Sequence, residues 1–453
     1  MTLENISRYD PDRVTARDGH AVVVGASMAG LFAGRVLADA FEQVTVLDRD
    51  PLPDERIARR GVPQANHVHA LLEPGRVMLE DLFPGYGGEI RDAGGVVMNA
   101  SKKLDLYQGG DYIAEAEEEL PFYCASRPLF EQLTRRHVAE RADIALRGAC
   151  HVTDFVADDD GRTVTGVRVV DGDDGEETIA ADLVVDATGR TSRTPEWLER
   201  HGYPTPETEN VGVDLAYSTV AVDRPPENER GYLIVPSPPV TRGGTAVPVE
   251  GDRWIVTVFG RHGDHPPTDP EGFEEFASSL PAPAISEVLA HHEWDGDEIH
   301  RYPFPASKRR YYEDLDRFPD GLLVTGDAVA SFNPIYGQGM SAAALDALHL
   351  HHALAAGREN LATRFFDRAA DTLDVVWRIT VGSDFEYAET EGKKPAGTDV
   401  FNRYLSWVVD AAHEDRYVAE QFTRVLRLES HPTALLAPGI LGRVATAKVR
   451  AYV

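Results

Sequence analysis

The stretch that decides the fold runs from His20 to Asp48, HAVVVGASMAGLFAGRVLADAFEQVTVLD. Its opening run, His20-Ala-Val-Val-Val-Gly25, is apolar and suits a strand buried on both faces of a parallel sheet. Gly25-Ala-Ser-Met-Ala-Gly30 follows at once, then LFAGRVLADAF, which has the pattern of a helix. Phe41–Asp48 supplies a second strand and ends on an acid. The unit therefore reads strand, glycine turn, helix, strand, acid. Gly25 permits the tight turn. Gly30 lets the helix lie close to the strand, and the helix N-terminus aims its free N–H groups at a pyrophosphate. Asp48 lies 23 residues after Gly25, near the ~20 expected of a carboxylate that binds a ribose. Ser27 stands where the usual G-x-G-x-x-G has its middle glycine. A small hydroxyl side chain still allows close approach and adds a donor. A plain βαβ turn without ligand is the alternative reading; strand, helix and distant acid together favour a dinucleotide.

Two more apolar strands end in small-residue turns. Ala181-Asp-Leu-Val-Val-Asp186-Ala-Thr-Gly189 is one. Gly321-Leu-Leu-Val-Thr-Gly326-Asp327 is the other, and it runs through a Pro/Gly loop ending Tyr336-Gly337-Gln-Gly339-Met340 into the helix SAAALDALHLHHALAA. In this order, these three elements resemble those of the FAD-dependent monooxygenases of the aromatic-hydroxylase (p-hydroxybenzoate hydroxylase-like) fold, over roughly residues 20–350. The segment Arg60-Gly-Val-Pro-Gln-Ala-Asn-His-Val-His-Ala-Leu-Leu is similar to the branch containing bacterial polyene epoxidases and uncharacterised FAD-dependent oxidoreductases. The helical tail, with Trp377 and Asp384, is similar to that branch with less specificity.

The resemblance implies an α/β chain with a three-part, discontinuous Rossmann-like FAD-binding domain, an inserted antiparallel-sheet substrate domain and a C-terminal helical region. We place a flexible N-terminal tail at 1–19, the FAD domain at 20–204 and 301–357, the substrate sheet at 205–300 and the helical region at 358–453. The cofactor-binding set it implies is Gly25, Ser27, Met28, Ala29, Gly30, Asp48, Arg49, Arg127, Asp186, Gly189, Gly326, Asp327, Gly337, Gly339 and Met340. Within it, Asp48 takes the adenosine ribose, Arg127 the pyrophosphate or ribityl region, Asp327 the ribityl chain or pyrophosphate. Gly337 and Gly339 place a helix N-terminus at the pyrimidine edge of the flavin, where reduced flavin carries negative charge. The expected activity is hydroxylation or epoxidation of an apolar or aromatic small molecule by O2 through a flavin C4a-hydroperoxide. A flavin-dependent reductase or dehydrogenase, of a prenyl chain for example, shares the same FAD site. A halogenase, for which the resemblance implies a lysine near a flavin motif, fits less well. The middle motif departs from the family: Thr188-Gly189 stands where an Asp-Gly pair linked to NAD(P)H is usual. Electrons are then expected from NAD(P)H bound without a motif or from a separate flavin reductase partner.

Such chemistry asks the protein to exclude water, place the substrate and supply a proton, so no catalytic triad is expected. His67 and His69, two apart on one face of an extended segment, are flavin-proximal candidates, with loop packing as the alternative. Tyr336 closes over the flavin or packs in the core. Trp254, Phe259 and Tyr217 are core aromatics or a substrate wall. Arg309, Arg310, Tyr311 and Tyr312 read as a surface patch, or as a holder for an acidic group. His349, His351 and His352 share no single helix face and read as packed or solvated.

Composition narrows the partners. The chain has 453 residues, 42% of them apolar, enough for large globular domains. Its formal charge of −30, from 75 acidic against 45 basic residues, repels nucleic acids and anionic membranes. Only six residues are lysine, and an acidic, lysine-poor surface is expected of a salt-adapted protein. The first nineteen residues lack the apolar core of a signal peptide, and no apolar run is long enough to span a bilayer, so a cytoplasmic site is expected. Cys124 and Cys150 read as buried free thiols, and no spacing suggests a metal site. Asp/Gly-rich turns over Val152–Thr178 predict a small β-meander; 211–222, 231–237 and 254–260 predict an antiparallel sheet.

Overall fold

The computed structural model describes every residue except 172–174, 297 and 452–453. The apolar runs pair in parallel into a five-stranded sheet, in the order Leu322–Val324, Leu183–Asp186, His20–Val24, Gln43–Leu47, Ile144–Arg147. Val22 and Val23 at its centre are fully buried because helices cover both faces. Helix Met28–Leu37 leaves the first turn and packs against two others, Arg127–Ala139 and Gly339–Ala355. The last of these is buried from Met340 to Leu354, and most of its residues are accordingly apolar. The three neighbouring strands Leu322–Val324, Leu183–Asp186 and His20–Val24 each deliver their turn to the same carboxyl edge, where open α/β sheets bind ligands.

The expected meander forms from Cys150–Ala157, Val164–Asp171 and Glu176–Ala180; the turn expected at the second Asp/Gly-rich stretch falls on 172–174, outside the described residues. The second large sheet has eight strands: Ala330–Ser331, His300–Arg310, Thr208–Asp223, Arg253–Gly260, Arg242–Val249, Gly231–Ile234, Leu104–Gln108 and Asp111–Tyr112. It is antiparallel except where Gly231–Ile234 runs parallel to Leu104–Gln108. The sheet thus reaches well outside 205–300, because edge strands from distant segments complete it.

The other outer boundaries shift as well. Residues 1–19 are docked rather than loose: Leu3 N and Glu4 N donate to Leu428 O (3.3 Å) and Glu429 O (3.1 Å), and Thr2 is fully buried. Helix Leu361–Asp384 shares the main core through Phe365, Phe366 and Val376. Helices Thr398–Ala412, Arg416–Leu426 and Pro438–Ala451 form a separate apolar cluster around Val408 and Phe422, joined by Leu106 of the large sheet. Among the described residues no helix is long and apolar enough to cross a membrane.

Candidate active site

The three turns meet. A Cβ on Gly25 (φ +109°) would lie 2.4 Å from Ala187 O, and one on Gly30 would lie 1.7 Å from Gly25 O. No side chain fits at either position, so helix and strand approach as closely as backbone allows. Gly326 packs on Ala29, with its Cβ position 2.7 Å from the Ala29 methyl, and Gly189 faces Asp327 in the same way at 3.8 Å. Motifs about 300 residues apart in sequence thereby share one crevice.

At one end of it, Asp48 accepts hydrogen bonds from Ala26 N (2.7 Å) and Asp50 N (2.9 Å) and pairs with Arg59 Nη1 at 3.0 Å. Arg59 is buried, pairs also with Glu131, and donates to Ala26 O at 3.1 Å. Glu131 continues the line to Arg127 (3.0 Å) and Arg135 (3.3 Å). Arg127 Nη2 then donates to Ser27 Oγ at 2.8 Å. A buried chain of alternating charge therefore underlies the first turn. Burial opposes the charge of Glu131, but Arg127, Arg59 and Arg135 hold its carboxyl below the ordinary range. For Arg127 burial prevails and lowers its pKa, with Glu131 opposing. Arg49 is exposed at the rim beside Gly61. The Met28 side chain is buried in the core, so only its amide is available to a ligand.

The middle motif corrects one expectation. Asp186 is buried, and its carboxylate accepts from Thr188 N (2.9 Å), Thr188 Oγ1 (2.6 Å), Ser192 Oγ (2.6 Å) and Thr194 Oγ1. With its lone pairs taken up by its own turn, it shapes the loop and does not reach the crevice. Asp327 behaves oppositely. It is exposed although protein surrounds it deeply enough for burial to push its carboxyl up to about 6, against the pull of Arg190 and Arg127. A carboxylate both deep and solvent-accessible lines the floor of a crevice. Below it, Asp346 accepts from Gly326 N (3.1 Å) and Thr325 Oγ1 (3.3 Å), and burial pushes its carboxyl up to about 7.

At the far end, helix Gly339–Ala355 starts without a side-chain cap. A Cβ on Gly339 would meet nothing within 4 Å, so the first amides face open space. Helix Met28–Leu37 is likewise uncapped, since Ser27 makes no capping hydrogen bond. Gly337 (φ +65°) packs on Ala70, which brings the 67–70 loop against this turn. Tyr336 Oη donates to Asp384 Oδ1 at 3.0 Å; Asn333 Nδ2 does so at 2.7 Å, and Arg261 Nη1 lies 3.5 Å away.

The large sheet faces this end, with Ile335 packed on its Tyr217–Phe259–Phe304 cluster. His67 Nδ1 is 2.7 Å from Thr219 Oγ1, itself 2.7 Å from Thr257 Oγ1. The His67 ring lies 5.5 Å from Tyr217 and 5.9 Å from Tyr302, whose two rings are nearly parallel. His69 Nδ1 turns back to His67 O at 2.9 Å. Burial pushes the His67 pKa down to about 4 and that of His69 to about 3, so both imidazoles are neutral at pH 7. Among the described residues no group of three His, Cys, Asp or Glu side chains is placed to hold a metal ion.

These residues fit FAD. Two uncapped helix N-termini and Arg127 suit a diphosphate, Asp48 is a carboxylate at the end of the second strand suited to a ribose, and the open space at Gly339 admits a ring against backbone amides.

Sequence reasoning passed over Arg59, Glu131, Arg190, Arg261 and Asp346. All are charged residues whose partners come from other elements, and no local periodicity marks them. The Arg309–Tyr312 patch is interior: Arg309 pairs with Asp374 and Glu313 (both 2.6 Å), and Arg310 donates to Ala328 O at 2.8 Å. Trp254 is core, while Tyr217 and Phe259 share a small apolar cluster with Phe304. His349, His351 and His352 are all buried.

A protein family described as FAD binding domain matches residues 18–364. Protein Rv3254 of Mycobacterium tuberculosis (strain ATCC 25618 / H37Rv) is 34% identical over 97% of this chain and 96% of its own. Among solved structures, a flavoprotein/dehydrogenase from Cytophaga hutchinsonii matches with a TM-score of 0.66 at 14% identity, covering 95% of this chain and 98% of that one. The p-nitrophenol 4-monooxygenase PnpA from Pseudomonas putida DLL-E4 matches with a TM-score of 0.61 at 17% identity, covering 92% and 100%. At these identities the two structures bear on the fold alone.

Proposed function

The chain belongs to the FAD binding domain family and is an FAD-dependent oxidoreductase, and from that premise we propose that it is a monooxygenase acting on an apolar or aromatic small molecule. The observation that carries this reading is the aromatic wall at the ring end of the crevice. Tyr217, Tyr302 and neutral His67, set on the large sheet and its neighbouring loop, stand beside the turn that leads to the amides of Gly339 and Met340. Such a wall keeps water from a reactive centre and offers flat, weakly polar contacts to a substrate.

When bound, FAD supplies two-electron reduction and the activation of O2. The chain's own residues bind and orient it. Asp48 and the uncapped amides at Met28–Gly30 would hold its adenosine diphosphate half, with Arg127 beside them. Asp327 would contact the ribityl chain or pyrophosphate, and the amides at Gly339 and Met340 would favour negative charge at the pyrimidine edge. His67 keeps an unpartnered Nε2 and relays to Thr219 and Thr257 through Nδ1. It is the group placed to hold a proton beside the substrate. The electrons come from NAD(P)H, bound transiently or used through a separate flavin reductase, since Thr188-Gly189 carries no acid for a built-in nicotinamide site.

The test starts from the yellow holoprotein, reduced anaerobically and then mixed with O2. An absorbance transient belonging to neither oxidised nor reduced flavin, followed by label from 18O2 in a product, supports oxygenation. Direct return to oxidised flavin with full release of H2O2, with every candidate substrate present, assigns the site to a reductase or dehydrogenase instead.

A further inference from the structure

A second cleft opens at the opposite end of helix Gly339–Ala355. It has a volume of about 440 Å³ and lies between the docked N-terminal segment and the helix's last turns; Asn5, Ser7, Arg13, His349, His352 and Arg368 line it. His349 is the tenth residue after Gly339, so about 15 Å of helix separates the cleft from the flavin end of the crevice.

The lining is built and one-signed. His352 Nε2 is 2.9 Å from Ser7 O, an acceptor only, so that nitrogen carries the proton. Its Nδ1 then accepts from Arg13 Nη1 at 3.2 Å. His349 is fully buried, with Nε2 on Thr372 Oγ1 at 2.8 Å and Nδ1 without a partner. Arg368 is exposed and makes no ion pair among the described residues. Burial, then the neighbouring cations, lowers the pKa of both histidines, Arg368 acting on each and Arg13 on His352. Met1 also lines the cleft, and its amino group, which lowers the His349 pKa more than Arg368 does, is flanked by Asp371 and Asp374; Asp10 and Asp39 act on His351. In a chain of charge −30, a cleft lined by two guanidiniums that no carboxylate neutralises runs against the overall bias.

We propose that this cleft is a second ligand site, for a small phosphorylated molecule whose phosphate sits between Arg13 and Arg368 above the two imidazoles. The guanidinium fork matches phosphate oxygens. The cleft is larger than a bare oxyanion and leaves room for the organic part of a phosphomonoester.

The test uses the FAD-loaded protein at fixed ionic strength, titrated calorimetrically with inorganic phosphate and with ribose 5-phosphate. Both are expected to bind one per chain, the sugar phosphate more tightly. R368Q, at an exposed side chain without partners, is expected to weaken both by about tenfold. R13K keeps the charge, loses the fork and is expected to weaken them less. Histidine 15N spectra are expected to show the His349 and His352 pKa values rising on binding. Binding of phosphate with rejection of ribose 5-phosphate overturns the phosphomonoester assignment. Absence of saturable binding, or binding unchanged in R368Q, overturns the site. An R368Q loss of thermal stability identical with and without phosphate also overturns it, leaving the arginines as partners of the helix carbonyl end.

Discussion

Tyr336 donates to Asp384 at 3.0 Å across 48 residues of chain. The contact binds the end of helix Leu361–Asp384 to the loop that delivers Gly337 and Gly339 to the crevice, and Asn333 and Arg261 meet the same carboxylate. Asp384 thus fixes the turn that carries Gly337 and Gly339 to the crevice.

That carboxylate is fully buried, and burial pushes its pKa up to about 6, against Arg261, Asn333 and Tyr336. Its value in the folded chain lies above the unfolded one of ~3.9. The stability linked to its protonation is complete below the unfolded value and is lost as pH rises through about 6. D384N is therefore expected to flatten the fall in thermal midpoint between about pH 4 and 6 while its amide oxygen still accepts from Tyr336. D384A leaves Arg261 buried without a counter-charge, and denaturant melts are expected to show a loss of about 3–5 kcal/mol.

Two glycines separate fold from cofactor. G30A drives a methyl into Gly25 O, whose distance from the Cβ position is 1.7 Å, and is expected to abolish both stable folding and flavin uptake. G339A meets no protein atom within 4 Å. Its melting curve is expected to match wild type to within about 0.5 kcal/mol. Its FAD affinity, read by fluorescence titration, is expected to fall by about tenfold or more because the methyl occupies the space at the amides. Equal loss of both properties in G339A would contradict the placement of the flavin ring there.

The charge chain under the first turn makes a different claim. R59M leaves Asp48 and Glu131 buried without their shared cation. The expected cost is about 3–5 kcal/mol in apoprotein melts, with the deficit narrowing when FAD is added in excess. R49M, at the exposed rim, is expected to change apoprotein stability by less than about 0.5 kcal/mol. A large apoprotein effect at Arg49 would refute the assignment of Arg59 as the inner cation.

What could be read from sequence depends on distance along the chain. Gly25, Gly30 and Asp48 act within one βαβ unit, so their spacing carries their geometry, and small residues closing the strands at 186–189 and 324–327 mark the carboxyl edge of the sheet. Asp384 and Arg261 are 123 residues apart, and nothing local announces that they meet. Asp186 illustrates the reverse failure. Its position at a strand end suggests a ligand, but Thr188, Ser192 and Thr194 bring their hydroxyls to it only once the turn has formed. The polar N-terminal segment reads as loose because its docking depends on backbone donors to Leu428 and Glu429, which side-chain pattern does not encode.

The acidic surface makes a claim that concerns the whole molecule. A charge of −30 repels itself most strongly when unscreened. Raising KCl from about 0.01 M to 1 M shortens the screening length from about 30 Å to about 3 Å. Exposed pairs such as Arg8–Asp81 and Arg200–Asp154 weaken over the same range, but each contributes little. The repulsion is the larger effect, so the thermal midpoint is expected to climb steadily with KCl up to the molar range. Potassium and sodium chloride are expected to act alike at equal ionic strength, because the effect is one of screening. A midpoint that stays flat, or falls as the surface pairs are screened, would mean that the ion pairs outweigh the self-repulsion and would remove the case for salt adaptation.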